Sequence, residues 1–270
     1  MVINKQLVQK RFSKSAATYD QYAQVQKKMA DDLLREYVFK SINPLTAKKE
    51  LTILEIGCGT GYLTEKLGQA FPLAHITAVD LAPGMIEVAR TKLSSPRVHF
   101  ICGDIEEMEL VASYDLIISN ATFQWFNDLE NTLHKLYSHL SEEGSLCFST
   151  FGERTFLELH TSYQKAKGEL GISSSSELGQ RFCCIQELYA FFSDKEENIL
   201  THEGEEYEYF PSVIDFFHSV KKVGANNSNQ DGSMLNRRLL QKIIQYYEQE
   251  YSCAKGIRAT YHSLFFCIRK

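Results

Sequence analysis

No apolar run approaches the roughly 20 residues that a membrane-crossing helix needs, and Met1-Val2-Ile3-Asn4-Lys5-Gln6 lacks the apolar core of a secretory signal. Cysteine is not organised. The seven are odd in number and scattered, with no C-x-x-C pair, so neither a disulfide framework nor a zinc site is expected. That usage points to a reducing cytoplasm and to chemistry without a metal. Positive charge is in deficit, 29 Lys+Arg against 34 Asp+Glu, so the chain has no general footprint for nucleic acid, although a local basic patch remains open. There is no internal repeat and no long low-complexity tract.

What is present reads as a folded α/β chain of 270 residues, 44% hydrophobic and 23% charged. Residues 1–42 are helical in pattern. Val25, Met29, Leu33 and Tyr37 recur every four residues beside Ala30, Leu34 and Val38, and Asn43-Pro44 ends the run. From residue 51, short apolar strands at 51–55, 75–79, 98–102, 116–119 and 145–151 alternate with helical patterns near 60–70, 82–93 and 128–140, with Pro83 suited to a first helical turn. Such alternation predicts a parallel sheet covered on both faces. Beyond 151, helices are expected near 154–168, 185–193, 212–221 and 234–252, and strands at 199–209 and 259–269. Gly224–Ser233 reads as a mobile loop. A single domain over 1–270 is expected: an N-terminal helical lid (1–45), a core (50–151), cap insertions with a sixth strand (152–258) and a final strand (259–270) returning to the sheet.

The decisive segment is Ile53-Leu54-Glu55-Ile56-Gly57-Cys58-Gly59-Thr60-Gly61-Tyr62. A strand enters glycines at alternate positions and leaves as a helix, which permits a tight turn and close approach of a ligand. The switch-point rule places that ligand outside the carboxyl end of the first strand. Tyr62 fills the third small-residue place of a dinucleotide fingerprint, and no G-K-[ST] follows. Glu55 is ill-suited to a pyrophosphate but useful beside a cation. Asp80-Leu81 closes the second strand with a carboxylate able to accept both hydroxyls of a ribose, and Asp104-Ile105 follows the third with one suited to an adenine amino group. Adenosine without phosphates, carrying a positive charge, satisfies all of these.

Glu55-x-Gly57-x-Gly59-x-Gly61, Asp80 and Gly103-Asp104 resemble the motifs of class I S-adenosylmethionine-dependent methyltransferases over roughly residues 50–150. The resemblance implies a Rossmann-like sheet, mostly parallel with an antiparallel last strand, with N-terminal helices and a helical cap inserted after the fifth strand. It also implies S-adenosylmethionine as cofactor, held by Glu55, Gly57, Cys58, Gly59, Gly61, Asp80, Leu81, Asp104, Ile105 and Asn120.

A longer resemblance rests on Arg11-Phe12-Ser13-Lys14-Ser15-Ala16-Ala17-Thr18-Tyr19-Asp20, Asn120-Ala121-Thr122-Phe123-Gln124-Trp125-Phe126, Thr150-Phe151, Glu158-Leu159-His160, Lys222-x-Gly224-Ala225 and Thr260-Tyr261-His262. These are similar to the malonyl-[acyl-carrier protein] O-methyltransferases of biotin synthesis. The implied acceptor is the free carboxylate of malonyl-acyl carrier protein or malonyl-CoA. Methyltransferases of other small carboxylates, such as trans-aconitate, share the N-A-x-x-Q-W stretch, and a non-catalytic cofactor-binding module is a third reading. A malonyl carboxyl, with pKa near ~4, is already ionised at neutral pH, so no general base is expected. Tyr19 is the candidate lid over the cofactor, or else a core anchor for its helix. Gln124 and Trp125 fall where an acceptor should lie. Arg181, then Arg154 and Lys222, are the candidate carboxylate clamps, because a guanidinium grips a carboxylate bidentately. Lys221-Lys222, Arg237-Arg238 with Lys242, and Lys10, Arg11 and Lys14 are alternative landing points for an acidic carrier. Phe191-Phe192 and Phe216-Phe217 are candidates for the acyl path.

Overall fold

In a computed structural model, the structure describes residues 2–41, 50–173, 178–195, 198–225 and 236–270. The expected break at Asn43-Pro44 and most of the loop expected at Gly224–Ser233 lie outside them. Helix α1 (Lys5–Ser15) starts where Asn4 Oδ1 accepts the Leu7 N–H at 3.0 Å, an N-cap that satisfies an orphan donor. Short α2 (Tyr19–Tyr22) leads to α3 (Gln24–Leu33), which runs through a π turn (Leu34–Val38) into α4 (Phe39–Ser41). The four-residue stripe does what its spacing predicts. Val25, Met29, Leu33 and Tyr37 are all buried, and Tyr37 stacks on Phe265 of the sheet at 5.5 Å.

The sheet core alternates as expected: β1 (Thr52–Ile56), α5 (Tyr62–Ala70), β2 (His75–Asp80), α6 (Pro83–Lys92), β3 (Val98–Cys102), β4 (Tyr114–Asn120), α7 (Leu129–Ser138) and β5 (Leu140–Phe151). There follow α8 (Leu157–Glu169), α9 (Ile185–Ala190), β6 (Ile199–Phe210), α10 (Val213–Val223), α11 (Arg237–Tyr251), β7 (Ser252–Cys253) and β8 (Gly256–Arg269). Strand order is β3-β2-β1-β4-β5-β8-β6. The first five strands are parallel, β8 is antiparallel to both its neighbours, and β7 pairs with the start of β8. Ile53, Leu54, Ile56, Leu116, Ile117 and Ile118 are at most 2% exposed, because central parallel strands are covered on both faces. Each such side chain contributes about 1.5–3 kcal/mol of burial.

Two features depart from the sequence reading. β5 begins at Leu140 and not at Ser145; its pairing with β4 is irregular between Tyr114 and Leu116, where Glu143 takes φ +64°. The Glu142-Glu143-Gly144 run therefore reads locally as a turn. The second is a cross-link: Cys147 and Cys267, 120 residues apart, face each other across β5 and β8 and form a disulfide. Sheet register makes that pair, which spacing alone conceals.

The crossovers leave β1 toward β2 on one side, whereas β4 lies on the other. A crevice therefore opens at the carboxyl ends of β1 and β4, where the strand order reverses.

Candidate active site

Gly57 and Cys58 N–H groups both donate to Val79 O (2.8 and 3.0 Å), folding the glycine loop over β2. Gly57 adopts φ +72°, and a Cβ there would fall 2.0 Å from Thr122 Oγ1, so only glycine fits. Gly59 adopts φ +54° with open space around its Cα, and its N–H donates to Asp80 Oδ2 at 2.8 Å. Gly61 serves packing instead: a Cβ there would meet Leu93 and Ala89 beside α6.

The crevice, about 90 Å³, is lined by Gly57, Gly59, Asp80, Leu81, Asp104, Ile105 and Asn120, seven of the residues expected to hold a cofactor. Asp80 Oδ1 also accepts the Ala82 N–H at 2.8 Å. Burial pushes its carboxyl up to about 6, against the pull of the Ala82 and Gly59 bonds. Its remaining lone pairs face the crevice and can accept two hydroxyls. Asp104 also lines the crevice, with apolar Leu81, Met85, Ile105 and Val8. A purine nucleoside suits that set of groups: a hydroxyl acceptor, apolar walls and an amine acceptor. Asn120 is already engaged, accepting from the Ser149 hydroxyl (2.6 Å) and donating to Gln26 O (3.0 Å).

Glu55, Cys58 and Gly61 do not line the crevice. Glu55 is 1% exposed beneath the loop, and neither carboxyl oxygen has a hydrogen-bond partner among the described residues. Burial pushes it up to about 8, a shift that the Thr64 hydroxyl, near but not in bonding geometry, softens and that Asp80 reinforces. It is therefore a neutral carboxyl at pH 7, not the exposed anion that its place in the motif suggests.

A second, larger cavity of about 350 Å³ lies beyond, walled by Phe151, Phe156, Leu159, Phe182, Phe216, Phe217 and Val220, with polar groups from Gln26, Gln124, Thr155, His160, Gln180, Lys221 and Tyr261. Phe12, Tyr19, Ala121 and Trp125 line both cavities and mark their junction. Phe12 meets Trp125 edge-on at 5.5 Å and Tyr19 at 6.4 Å. Burial, then the charges of Asp80 and Asp20, push the Tyr19 phenol well up, so it stays protonated. Ala121 sits at φ +51°. Gln124 holds that turn, its Nε2 donating to Ala121 O (2.7 Å) while its Oε1 accepts from the Thr150 hydroxyl (3.0 Å).

None of the three expected clamps reaches this chamber. Arg181 is 68% exposed and paired with Glu187, although Gln180 and Phe182 on either side do line the wall. Arg154 turns outward to Glu203, Glu205 and His262. Lys222 is exposed, and its neighbour Lys221 is the one Lys or Arg lining the chamber among the described residues. Single-residue offsets of this kind follow which way a side chain leaves the chain, and a motif read by position cannot supply that. Phe216-Phe217 line the chamber as expected. Phe191 and Phe192 pack on the opposite sheet face, Phe192 against His134, Tyr137 and Phe266.

Sequence reasoning missed the inner face of α1. Lys5, Val8, Gln9 and Phe12, at helical spacing, cover the crevice. Lys5 Nζ binds Asp104 (3.1 Å) and Glu106 and lies 4.9 Å over the Phe126 ring, Gln9 Nε2 donates to Leu81 O (3.0 Å), and Asn127 clasps both the N–H and C=O of Ile3 (2.7 and 3.1 Å). Asp20 ties the following segment to Thr60 (2.7 Å) and Lys92; burial raises its carboxyl, but those two bonds and the charges of Lys92 and Lys27 hold it below its usual range. The crevice is thus covered by a whole helix and its tail, with Tyr19 at one end.

Residues 53–144 match a methyltransferase domain family. The chain is 48% identical to the malonyl-[acyl-carrier protein] O-methyltransferase of Priestia megaterium, covering 100% of this chain and 99% of that protein. It is 46% identical to the protein of the same name from Bacillus anthracis, covering 100% and 98%. Among solved structures, the plantazolicin methyltransferase BpumL has a TM-score of 0.53 at 19% identity, covering 98% of this chain and 95% of that one. The YcgJ protein of Bacillus subtilis has a TM-score of 0.55 at 15% identity, covering 84% and 95%. At such identities the solved structures speak to the fold alone.

Proposed function

The chain belongs to the malonyl-[acyl-carrier protein] O-methyltransferase family, and on that premise we propose that it methylates the free carboxylate of a malonyl thioester, using S-adenosylmethionine, early in biotin synthesis. The observation that carries this reading is the pair of cavities meeting at Phe12, Tyr19, Ala121 and Trp125, one with acids for an adenosine and one an apolar chamber for an acyl group. In this reading Asp80 holds the ribose hydroxyls, Asp104 the adenine amine, and Leu81 and Ile105 the purine faces.

S-Adenosylmethionine, once held by Asp80, Asp104, Leu81 and Ile105, would supply a sulfonium-borne methyl group; its transfer to an already ionised malonyl carboxylate would leave a neutral methyl ester and S-adenosylhomocysteine with no proton moved. The protein accordingly needs no general base. Its residues bring oxygen and methyl into line, a contribution of up to about 7–11 kcal/mol in favourable cases. Phe12, Tyr19 and Trp125 exclude water from the junction. With Arg181, Arg154 and Lys222 directed elsewhere, Lys221 supplies the cationic charge in the chamber wall.

The test is radiolabelled methyl transfer to malonyl-carrier protein, followed by release of methanol in base, which distinguishes an ester from N- or C-methylation. Activity confined to free diacids, or cofactor binding without turnover on any malonyl thioester, overturns the reading.

A further inference from the structure

The basic residues of this acidic chain are unevenly placed. Residues 2–19 hold Lys5, Lys10, Arg11 and Lys14 with no acid, and residues 216–225 hold Lys221 and Lys222 with no acid, in a chain of net charge −5. The fold brings these segments together. Gly224, closing α10 at φ +86°, packs so tightly on α1 that a Cβ would lie 3.3 Å from the backbone of Arg11 and Phe12. Phe12 and Lys221 line the same chamber, so the junction of the two helices lies at its wall.

Lys10 and Lys14 stand one turn apart on α1. Lys5, Val8, Gln9 and Phe12 turn to the crevice, so Lys10 and Lys14 point the other way and are exposed. Among the described residues, Lys10, Lys14, Lys221 and Lys222 make no ion pair. Several cations elsewhere do: Lys28 with Asp32 and Glu206, Lys40 with Glu36, Lys165 with Glu250, and Lys242 with Glu169. Glu169 also feels the charge of Arg238, so one acid offsets two of the three α11 cations, whereas no acid pairs with Lys10, Lys14, Lys221 or Lys222 among the described residues. Unneutralised like charges on two adjoining helices beside the chamber give a local positive field on a negative body, and that steers an anionic partner.

We propose that the outer face of α1 and the end of α10 form the docking surface for the acidic carrier that presents the malonyl group, with Lys10, Lys14 and Lys222 meeting its anionic surface. This rests on the reaction proposed above. A thioester tether that brings the acyl group to the junction leaves the carrier body outside the chamber, where surface charges act on it over a Debye length of about 8 Å.

The test compares the wild type with a Lys10→Glu/Lys14→Glu/Lys222→Glu variant and with an Arg237→Glu/Arg238→Glu control. Two acceptors are used: malonyl-carrier protein and the small thioester malonyl-N-acetylcysteamine. Carrier binding is read separately by fluorescence anisotropy at low and high salt. The expected result is a loss of about tenfold or more in kcat/KM and in affinity for the carrier in the triple variant, with a flattened salt dependence. Turnover of the small thioester and the α11 control should stay within about twofold of wild type. Equal losses on both acceptors, or undiminished carrier binding, overturn the docking surface. So does a variant that loses binding to anionic phospholipid vesicles while carrier binding stays intact. A wild type that binds the carrier through these lysines yet methylates neither thioester sinks the reaction and upholds the surface.

Discussion

Glu55 and Asp80 sit on opposite sides of one glycine loop, and burial raises both carboxyls with different consequences. Glu55 ordinarily ionises near 4.5 and is pushed up to about 8 in the fold, so between these pH values the native protein holds a proton that the unfolded chain releases. Stability without ligand therefore falls as pH rises from 4.5 to 8. Glu55→Gln removes that dependence: melting curves should show little gain near pH 4.5 and about 3 kcal/mol near pH 7. Asp80, pushed up to about 6, must be ionised to accept ribose hydroxyls well, so cofactor affinity by calorimetry should fall as pH drops through 6, and Asp80→Asn should flatten that profile. Asp104→Ala should weaken cofactor binding, read by the same calorimetry, about tenfold or more, the loss of a charge-assisted hydrogen bond. The identities of all three acids were plain in the sequence. The protonation of Glu55 and Asp80 was not, because it depends on what else occupies the space around each carboxyl, which only the packed fold specifies.

At the scale of elements, α1 works as a cover fastened at both ends, by Asn127 and Lys5 near its start and by the Asp20 bonds to Thr60 and Lys92 beyond its end. Lys5→Ala with Asn127→Ala should speed hydrogen exchange over residues 3–15 and raise both the association and dissociation rates of the cofactor. Unchanged exchange would mean that the helix is held by its apolar face alone. The alternation of strands and helices from 51 to 151 was readable because parallel strands buried on both faces appear as short apolar runs. The stripe Val25-Met29-Leu33-Tyr37 was readable because four-residue spacing fixes a helix face. An N-terminal lid was expected from the sequence, but which residues of α1 turn to the crevice was not legible, because the spacing of Lys5, Val8, Gln9 and Phe12 shows a face but not what it faces.

At the scale of the molecule, the two cavities share four residues and are otherwise built from separate parts of the chain: the crevice from β1–β4 with α1, the chamber from residues beyond 150 with Gln26 and Gln124. They should therefore be separable by mutation. Leu159→Trp, filling the chamber, should cut kcat/KM for a malonyl thioester by about tenfold or more while affinity for S-adenosylhomocysteine stays unchanged; the overpacking costs about 1–3 kcal/mol of stability. The sequence announced the crevice through its glycines and acids. The chamber had no such signature, since its wall is assembled from aromatic residues that singly look like ordinary core. The placement of β8 between β5 and β6 has one further effect. During synthesis β6 emerges with no neighbour to bond, and β5 keeps an open edge, until β8 has cleared the ribosome. Folding of this half is thus necessarily late, and a nascent chain arrested before that strand would offer two unsatisfied edges to chaperones or to its neighbours on the polysome.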